Sequence, residues 1–244
     1  MGIRTGFSLA LASAALLLSS QASAASFVSG TGAGTSVTID ATDPFGWTLN
    51  YNGFSDGGVP VNGLLSSIGF TFVGTSFASG NTTFNFQYAV SNDSVNPITN
   101  SRVSTFGFNT NPNLVSNGAS STGIFNNQAY GSNVPNIGTI EVCFLGGNGN
   151  CAGGGNAGVS LGDASALGTF SLTFAGTPAT INLSDFYVRY QSIEGAGNVT
   201  SAVGQPGTPV SAVPEPSTWL LMIAGFGLVG FSMRRRRQTR IAFA

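Results

Sequence analysis

Few residues of this chain could act as acids, bases, nucleophiles or metal ligands. The sequence of 244 residues has nine acids, eight basic residues and two Cys, and only 7% of its residues are charged. All of the basic residues are Arg, because the chain has neither His nor Lys. A Ser-His-Asp triad, a Cys-His pair, a Lys Schiff base and a P-loop are therefore excluded. The remaining chemistry is that of carboxylates, of one Cys pair and of abundant Ser, Thr and Asn.

The carboxylates are the candidates for catalysis or for binding a metal ion. A glycoside hydrolase needs two of them roughly 5 to 10 Å apart. Asp40 and Asp43 lie close in sequence, Asp56 follows an Asn-Gly turn, and Asp163 follows a Gly-rich segment. None of them has aromatic residues at a suitable spacing, and the chain lacks an Asp-x-Asp-x-Asp-Gly calcium loop. We therefore expect no enzyme activity, no metal site and no cofactor. A carboxylate-dependent glycan-acting enzyme is an alternative, and calcium binding stays open.

The two cysteines, Cys143 and Cys151, favour a disulfide. Cys143 ends an alternating apolar run, and Cys151 lies in the Gly-rich segment 146–158, which can bend back to meet it. A metal or redox pair would need a nearby His or a third thiol, and the chain has neither. In an exported chain the two thiols are expected to oxidise. The bridge would fix a loop that is otherwise costly to order.

The N-terminal residues have the pattern of a secretory signal peptide. Arg4 precedes an apolar run over residues 7–18, and a small-residue cleavage site follows at Ala22 and Ala24. We therefore expect export through the Sec translocon and cleavage by signal peptidase, which gives a mature chain that starts near Ala25.

The C-terminal end predicts a short membrane-spanning helix. Residues 217–233 hold no charged residue, and Trp219 lies near their start. At 1.5 Å per residue this segment reaches about 25 Å, the short end of a membrane span. A cluster of four Arg follows it: Arg234, Arg235, Arg236 and Arg237. By the positive-inside rule these Arg orient the helix with its C-terminus in the cytoplasm.

The segment from residue 213 to residue 237 resembles a PEP-CTERM sorting signal. Pro214, Glu215 and Pro216 match the motif, and Trp219, the apolar helix and the Arg cluster follow in the order of these signals. The resemblance implies recognition by exosortase, a membrane protease or transpeptidase of Gram-negative bacteria that make exopolysaccharide. It further implies a transient anchor in the inner membrane, followed by a place at the cell surface or outside the cell.

The body between the two ends alternates apolar and polar residues with the period of a β-strand. The clearest run is 83–90, where Phe84, Phe86, Tyr88 and Val90 share one face. Further strands are predicted at 37–41, 47–51, 69–73, 103–108, 139–144, 170–174 and 186–190. Runs of this kind, separated by Gly, Asn, Ser and Pro, predict an all-β fold with a single antiparallel β-sandwich or jelly-roll-like domain.

The sequence therefore divides into four segments. These are a signal peptide (1–24), a secreted β-rich domain (25–195), a flexible stalk (196–213) and a sorting signal (214–244). Within the domain, the Asn-rich and Gly-rich segments 109–136 and 146–158 are predicted to be loops.

Composition and sorting signal together predict an exported structural protein of the cell surface or extracellular matrix. Amide and hydroxyl groups hydrogen-bond sugars without adding charge, so contact with exopolysaccharide is expected. The body has only Arg102 and Arg189 as basic residues, which argues against nucleic-acid binding.

A carbohydrate-binding module with an aromatic groove is the alternative. Trp47 and Tyr51, together with Tyr130, would then lie on one exposed surface and contact sugar rings. Residues 141–151 and 186–193 also resemble the cistern family of PEP-CTERM proteins, and this resemblance implies no catalytic residue.

Overall fold

The computed structural model describes residues 25–207. They form an all-β domain, as predicted, with two short 3-10 helices at Gly32–Gly34 and Asp56–Gly58. The predicted signal peptide and sorting signal lie outside the described residues. The strands are β1 (Phe27–Ser29), β2 (Ser36–Asp40), β3 (Phe45–Phe54), β4 (Pro60–Ala78), β5 (Asn81–Asn92), β6 (Asn100–Asn111), β7 (Ala119–Ser121), β8 (Asn127–Val134), β9 (Gly138–Leu145), β10 (Gly149–Asn150), β11 (Gly154–Gly155), β12 (Val159–Ser160), β13 (Ala166–Ala175), β14 (Thr180–Glu194) and β15 (Ser201–Pro206).

Most of these strands belong to one 13-stranded antiparallel sheet. Its main path runs β7-β13-β5-β4-β3-β15-β14-β6-β9-β8, while β2 pairs with β14 and β1, and β12 pairs with β6. The strands β10 and β11 form a separate hairpin. Between β4 and β5, Ser79 and Gly80 both have positive φ, which gives the type I′ turn that matches the twist of a hairpin.

The sheet folds over so that its two halves pack on each other. Phe170 of β13 and Phe108 of β6 are far apart in strand order, yet their ring centroids are 5.9 Å apart. The rings of Phe70 in β4 and Phe186 in β14 are 6.1 Å apart. One continuous sheet therefore supplies both layers, where the predicted sandwich has two separate sheets.

Aromatic side chains fill the space between the two layers, and Phe is the main core residue. Phe86 and Phe170 stack with a centroid distance of 4.7 Å and an angle of 7° between their planes. Each fully buried Phe stabilises the fold by about 1.5 to 3 kcal/mol. The largest fully buried side chains are all aromatic: Tyr51, Tyr187, Tyr190, Phe72, Phe84, Phe86, Phe106, Phe108, Phe125, Phe144, Phe170 and Phe174.

The segments predicted to be loops contain strands. Residues 109–136 include β7 and β8, the two ends of the main strand path, and residues 146–158 include the hairpin of β10 and β11. The prediction rested on composition alone. Ladder hydrogen bonds between backbones do not depend on side-chain type, so a segment rich in Asn and Gly still pairs when a partner edge is available.

The prediction of a flexible stalk at 196–213 is wrong for its central part, Ser201–Pro206, which forms β15. β15 pairs with β14 on one side and with β3 on the other, so it lies in the middle of the sheet. Ala202 and Val203 are only 2% and 1% exposed. Gly and Pro suggested flexibility, but burial and pairing on both sides override this tendency. Pro206 is the last residue of the strand, a position where its missing N–H costs little. Residues 208–213 lie outside the described residues.

Candidate functional site

Trp47 and Tyr51, the predicted sugar contacts, belong to the core. They are 4% and 1% exposed. Trp47 stacks on Phe45 and Phe70, with ring centroids 5.7 and 5.2 Å away. The spacing correctly placed the two side chains on one face of β3, but this face points between the two layers. The prediction that they line an exposed aromatic groove is therefore wrong.

Tyr130, the third aromatic candidate, is half-buried where the two ends of the sheet meet. Its hydroxyl donates to the carbonyl oxygen of Ala119 and accepts from the amide of Ala119, at 3.1 Å in each case. Ala119 begins β7 and Tyr130 lies in β8. The ring therefore holds these two end strands together.

Among the acids, Glu141 and Asp185 line the same surface groove, which has a volume of about 470 Å³. Asn109 lies between them, because its amide nitrogen donates to Asp185 at 2.9 Å and its oxygen accepts from the Glu141 amide at 2.7 Å. Glu141 accepts three hydrogen bonds, two from the amide and hydroxyl of Thr110 and one from the amide of Leu114. This carboxylate therefore holds the chain that follows β6.

The N-terminal acids have a similar local role. Asp40 accepts from the amide and the hydroxyl of Thr42 at 2.8 and 2.6 Å, which is the geometry of an Asx turn. Asp43 accepts from the amide of Ser26 at 2.9 Å. Within residues 25–207, no group of three or more His, Cys, Asp or Glu could hold a metal ion.

The predicted disulfide is confirmed. Cys143 and Cys151 are bonded, with Cα atoms 5.6 Å apart, and both are fully buried. The bridge ties the segment 146–158, which we call the disulfide loop, to the end of β9. The loop also touches β6, because the amide of Gly155 donates to the hydroxyl of Thr105 at 3.0 Å.

In β14 the side chains of Phe186, Val188 and Tyr190 point into the aromatic core, so strand alternation places Tyr187 on the outer face, yet Tyr187 is also fully buried. It does point away from the aromatic core, and it packs instead in a second apolar cluster with Cys143, Cys151 and Val203. The disulfide loop covers this cluster from outside. Burial raises the pKa of the Tyr187 hydroxyl. Strand alternation alone could not show that a loop covers the outer face at this point.

Five neighbouring strands, β7, β13, β5, β4 and β3, form what we call the uncharged half of the sheet. None of them contains Asp, Glu, Lys or Arg. In contrast, Arg102, Glu141, Asp185 and Arg189 lie in β6, β9 and β14. The fold therefore separates the charged residues from a large uncharged surface, although the strands of both halves are interleaved along the sequence.

Hydroxyl and amide side chains cover the outer side of the uncharged half. We call this surface the hydroxyl face, and its residues are Thr71, Thr83, Asn85, Gln87, Ser120, Thr122, Thr169, Ser171 and Thr173. Hydroxyl pairs bridge neighbouring chain segments: Thr83 with Thr173 at 2.9 Å, Ser120 with Ser171 at 2.8 Å, and Thr122 with Thr169 at 2.8 Å. The polar positions of the alternating runs were the only sequence signal for this face.

A shallow groove of about 280 Å³ crosses the hydroxyl face, with Val73 beside its polar side chains. Val73 is 50% exposed, and Leu167, also on the outer side of β13, is 71% exposed. Hydroxyl and amide groups both donate and accept hydrogen bonds. This surface can therefore bind a neutral polar polymer without the cost of removing water from a charge.

Arg102 and Arg189 are the only basic residues within 25–207, and they lie on two sides of Gln191. Arg102 is opposite Gln191 across β6 and β14, and Arg189 lies two residues before Gln191 on the same face. Arg102 donates to the Gln191 carbonyl at 3.1 Å, and Arg189 donates to the Ser201 hydroxyl at 3.2 Å. Burial lowers the pKa of Arg189, and the charge of Asp56 opposes this shift.

Comparison with known families identifies the C-terminal segment. The family model described as the PEP-CTERM protein-sorting motif matches residues 212–237. The chain therefore carries a PEP-CTERM sorting motif in its C-terminal segment. No curated protein and no solved structure matches it. The resemblance to the cistern family therefore stays a prediction.

The PEP-CTERM match includes Pro214, Glu215, Pro216, Trp219 and the Arg cluster, all of them outside the described residues. The motif implies processing by exosortase, export and display at the cell surface. The cleavage site at Ala22 and Ala24 also lies outside the described residues, and it stays a prediction.

The PEP-CTERM motif follows the folded domain closely. β15 ends at Pro206, and the matched segment begins six residues later, at residue 212. Six residues extend over at most about 20 Å. The domain therefore stays near any enzyme that acts on the start of the motif. Within residues 25–207, no helix is long and apolar enough to cross a membrane, and the predicted span, 217–233, lies beyond them.

Proposed function

We propose that this protein is a non-catalytic structural component of the cell surface or extracellular matrix, and that it contacts exopolysaccharide through the hydroxyl face. In this proposal the signal peptide directs export through the Sec translocon. The C-terminal helix anchors the chain transiently in the inner membrane until exosortase acts on the motif. The β-domain then remains outside the cell.

The observation that carries the proposal is the uncharged half of the sheet. A neutral polysaccharide presents hydroxyl groups that need both donors and acceptors, and the hydroxyl face supplies both. Its Ser and Thr side chains are held in rows by their neighbours across the strands, so little side-chain freedom remains to be lost on binding.

The expected affinity for a polysaccharide comes from many weak contacts made by successive sugar units. A neutral hydrogen bond contributes about 0.5 to 1.5 kcal/mol in water, so one sugar unit binds weakly. A polymer that meets several rows at once gains from the high effective concentration of its neighbouring units. We therefore expect measurable binding to long polysaccharides and little binding to short oligosaccharides.

Binding to a polysaccharide tests the role of the hydroxyl face. The double variant Asn85→Asp with Gln87→Glu adds two charges at almost constant side-chain size, in the middle of the groove. We expect the exported protein to sediment with insoluble cellulose, and this variant to sediment several-fold less. A carboxylate has no N–H donors for the sugar hydroxyls, and removing water from its charge on binding is costly.

The matched control carries the same two changes elsewhere. Gln128 lies in β8 and Asn198 in a loop, both exposed and both outside the uncharged half. The variant Gln128→Glu with Asn198→Asp should sediment as the unchanged protein does. Equal loss in both variants would show that net charge alone matters, and no loss in either would reject the hydroxyl face as the contact surface.

Mass spectrometry of the C-terminus tests the processing step. We expect the mature protein from exosortase-positive cells to lack residues 219–237, and the protein from exosortase-deficient cells to keep them. A mature chain that still contains Trp219 and the Arg cluster in exosortase-positive cells would contradict processing, whatever the result with cellulose.

A further inference from the structure

The two guanidinium groups of the described domain have an unusual environment. The Nε atoms of Arg102 and Arg189 are both buried and have no hydrogen-bond partner among the described residues. Buried polar atoms without a partner are rare in native proteins, and each calls for an explanation such as a water molecule or an ion. In this chain both basic residues of the domain show the same feature on the same patch of surface.

Neutral side chains hold the two guanidinium groups in place. Arg102 is held by Gln191 and Arg189 by Ser201, and neither of these partners is a carboxylate. A guanidinium has five N–H donors. Each group uses one of them in these bonds and its Nε–H is buried, so only the remaining donors of the two terminal nitrogens are left for a further partner. The positive charge is not cancelled by an acid hydrogen-bonded to it.

The disulfide loop packs against the same patch. The amide nitrogen of Gln191 donates to the carbonyl oxygen of Gly153. Gly154 has φ +79°, and a Cβ at this position would lie 2.9 Å from Cγ of Arg189 and 2.6 Å from Oγ of Ser104. Only glycine allows so close an approach here. The loop that Cys143 and Cys151 fix therefore supports the stem of Arg189.

We propose that Arg102 and Arg189 form a binding site for the carboxylate group of an acidic sugar unit, such as a uronate, within a polysaccharide. This inference rests on the proposed contact with exopolysaccharide and adds a second, charged site to it. The planar fork of a guanidinium matches the two oxygens of a carboxylate, and such charged hydrogen bonds are shorter and stronger than neutral ones.

The negative net charge of the domain restricts where an anionic polymer can bind. The described residues carry eight acids against these two Arg, a difference of −6. An anionic polymer is therefore repelled by most of the charged surface and attracted at the arginine pair. Asp56 lies near enough to influence Arg189, so a single site is weak. A polymer with repeated carboxylates compensates for this weakness by multiple attachment.

Binding of the exported protein to immobilised polygalacturonate, with dextran as the neutral polymer, tests the site. We expect binding to polygalacturonate to weaken between about 0.05 M and about 0.5 M NaCl, because salt screens exposed charges. The double variant Arg102→Gln with Arg189→Gln should bind this polymer about tenfold more weakly, since two charged hydrogen-bonding groups are lost. Its binding to dextran should not change.

The matched control, Arg102→Lys with Arg189→Lys, keeps both charges but removes the planar fork. It should bind polygalacturonate with an affinity between those of the other two proteins. Resistance of Cys143 and Cys151 to thiol labelling verifies that each variant has folded. If the double Gln variant does not fold, the single variants replace it, each with a several-fold loss expected.

The outcomes separate this inference from the proposed function. Unchanged binding of polygalacturonate by the folded Gln variants would overturn the arginine site. Competition by free galacturonate as strong as that by the polymer would show that any small carboxylate suffices and would overturn the polymer as ligand. If the unchanged protein binds neither dextran nor cellulose, the hydroxyl face is rejected as a contact surface. Binding of polygalacturonate that depends on the two Arg would still establish the arginine site in that case.

Discussion

The hydroxyl of Tyr187 donates a hydrogen bond of 3.0 Å to the carbonyl oxygen of Cys151. Tyr187 lies in β14 and Cys151 in the disulfide loop, and both are fully buried. The bond therefore fastens the loop to the outer side of the sheet at a point where strand alternation alone would leave a tyrosine in water. The disulfide and this hydrogen bond hold the same short segment from two sides.

Removal of the disulfide should destabilise the exported domain. The bridge closes a loop with a sequence separation of 8 residues. On the chain-entropy model, a loop of this size stabilises the folded state by about 2.5 kcal/mol. We expect the variant Cys143→Ser with Cys151→Ser to lose about this amount of unfolding free energy in urea titrations. The variant Tyr187→Phe keeps the bridge and should lose about 1 kcal/mol, the contribution of one buried hydrogen bond. A Ser variant as stable as the unchanged protein would show that the loop is held without the bridge.

Phe170 should be among the most important residues of the core. Its ring lies 4.7 Å from that of Phe86 and 5.0 Å from that of Phe144, so it joins the two layers. Phe170→Ala should lower the free energy of unfolding by about 3 to 5 kcal/mol, because it leaves a cavity among the aromatic rings. Leu167→Ala on the same strand is the control, since Leu167 is 71% exposed. We expect this change to cost about 0.5 kcal/mol or less, and similar losses in both variants would contradict the assigned core.

Strand alternation in the sequence predicted the core well, because it records which side of a strand is buried. The inward residues of 83–90 and of 170–174 are buried as their spacing required, and Cys143 and Cys151 are bonded as expected. These features depend on residues near one another in sequence. Alternation shows which residues share a face of a strand, however, and it does not determine whether that face contacts water or another layer of the sheet.

This limit explains the errors in the candidate sites. Trp47 and Tyr51 share a face as predicted, but the folding of the sheet turns this face inward. Ser201–Pro206 pairs with β3 and β14, and a pairing over such distances leaves no local signal in a segment rich in Gly and Pro. The arginine pair depends in the same way on the register between β6 and β14. Residues distant in sequence become neighbours only through the order of strands, which composition does not specify.

Glu141 should stabilise the fold through its hydrogen bonds. Its carboxylate accepts from the amide and hydroxyl of Thr110 and from the amide of Leu114. Glu141→Gln replaces one accepting oxygen by a donating NH₂ group, which then faces an amide donor. We expect a loss of about 1.5 to 3 kcal/mol, typical of hydrogen bonds to a charged group, measured by urea unfolding. The control is Asp185→Asn, at an exposed position of the same groove, where a loss below about 1 kcal/mol is expected. Equal stability of Glu141→Gln and the unchanged protein would contradict this role.

Stability should fall at alkaline pH because buried tyrosines resist ionisation. Burial raises the pKa of Tyr51, Tyr88, Tyr187 and Tyr190 above the ordinary value of 10.0. In the unfolded chain these groups lose their protons near pH 10, whereas in the folded domain they keep them. Their contribution to stability is therefore complete below about pH 10 and is lost as the pH rises above it.

A pH titration followed by two signals tests this expectation. Tyrosinate absorbance from these four residues should appear together with the loss of β-sheet circular dichroism, since ionisation requires opening of the core. Tyr190 also shares a hydrogen bond of 2.7 Å with Ser66 across the two layers. The variant Tyr190→Phe should lose about 1 kcal/mol at neutral pH, and its stability should fall less steeply above pH 10, because one fewer group drives the transition. Ionisation of all four tyrosines in a domain that keeps its circular dichroism would contradict their burial.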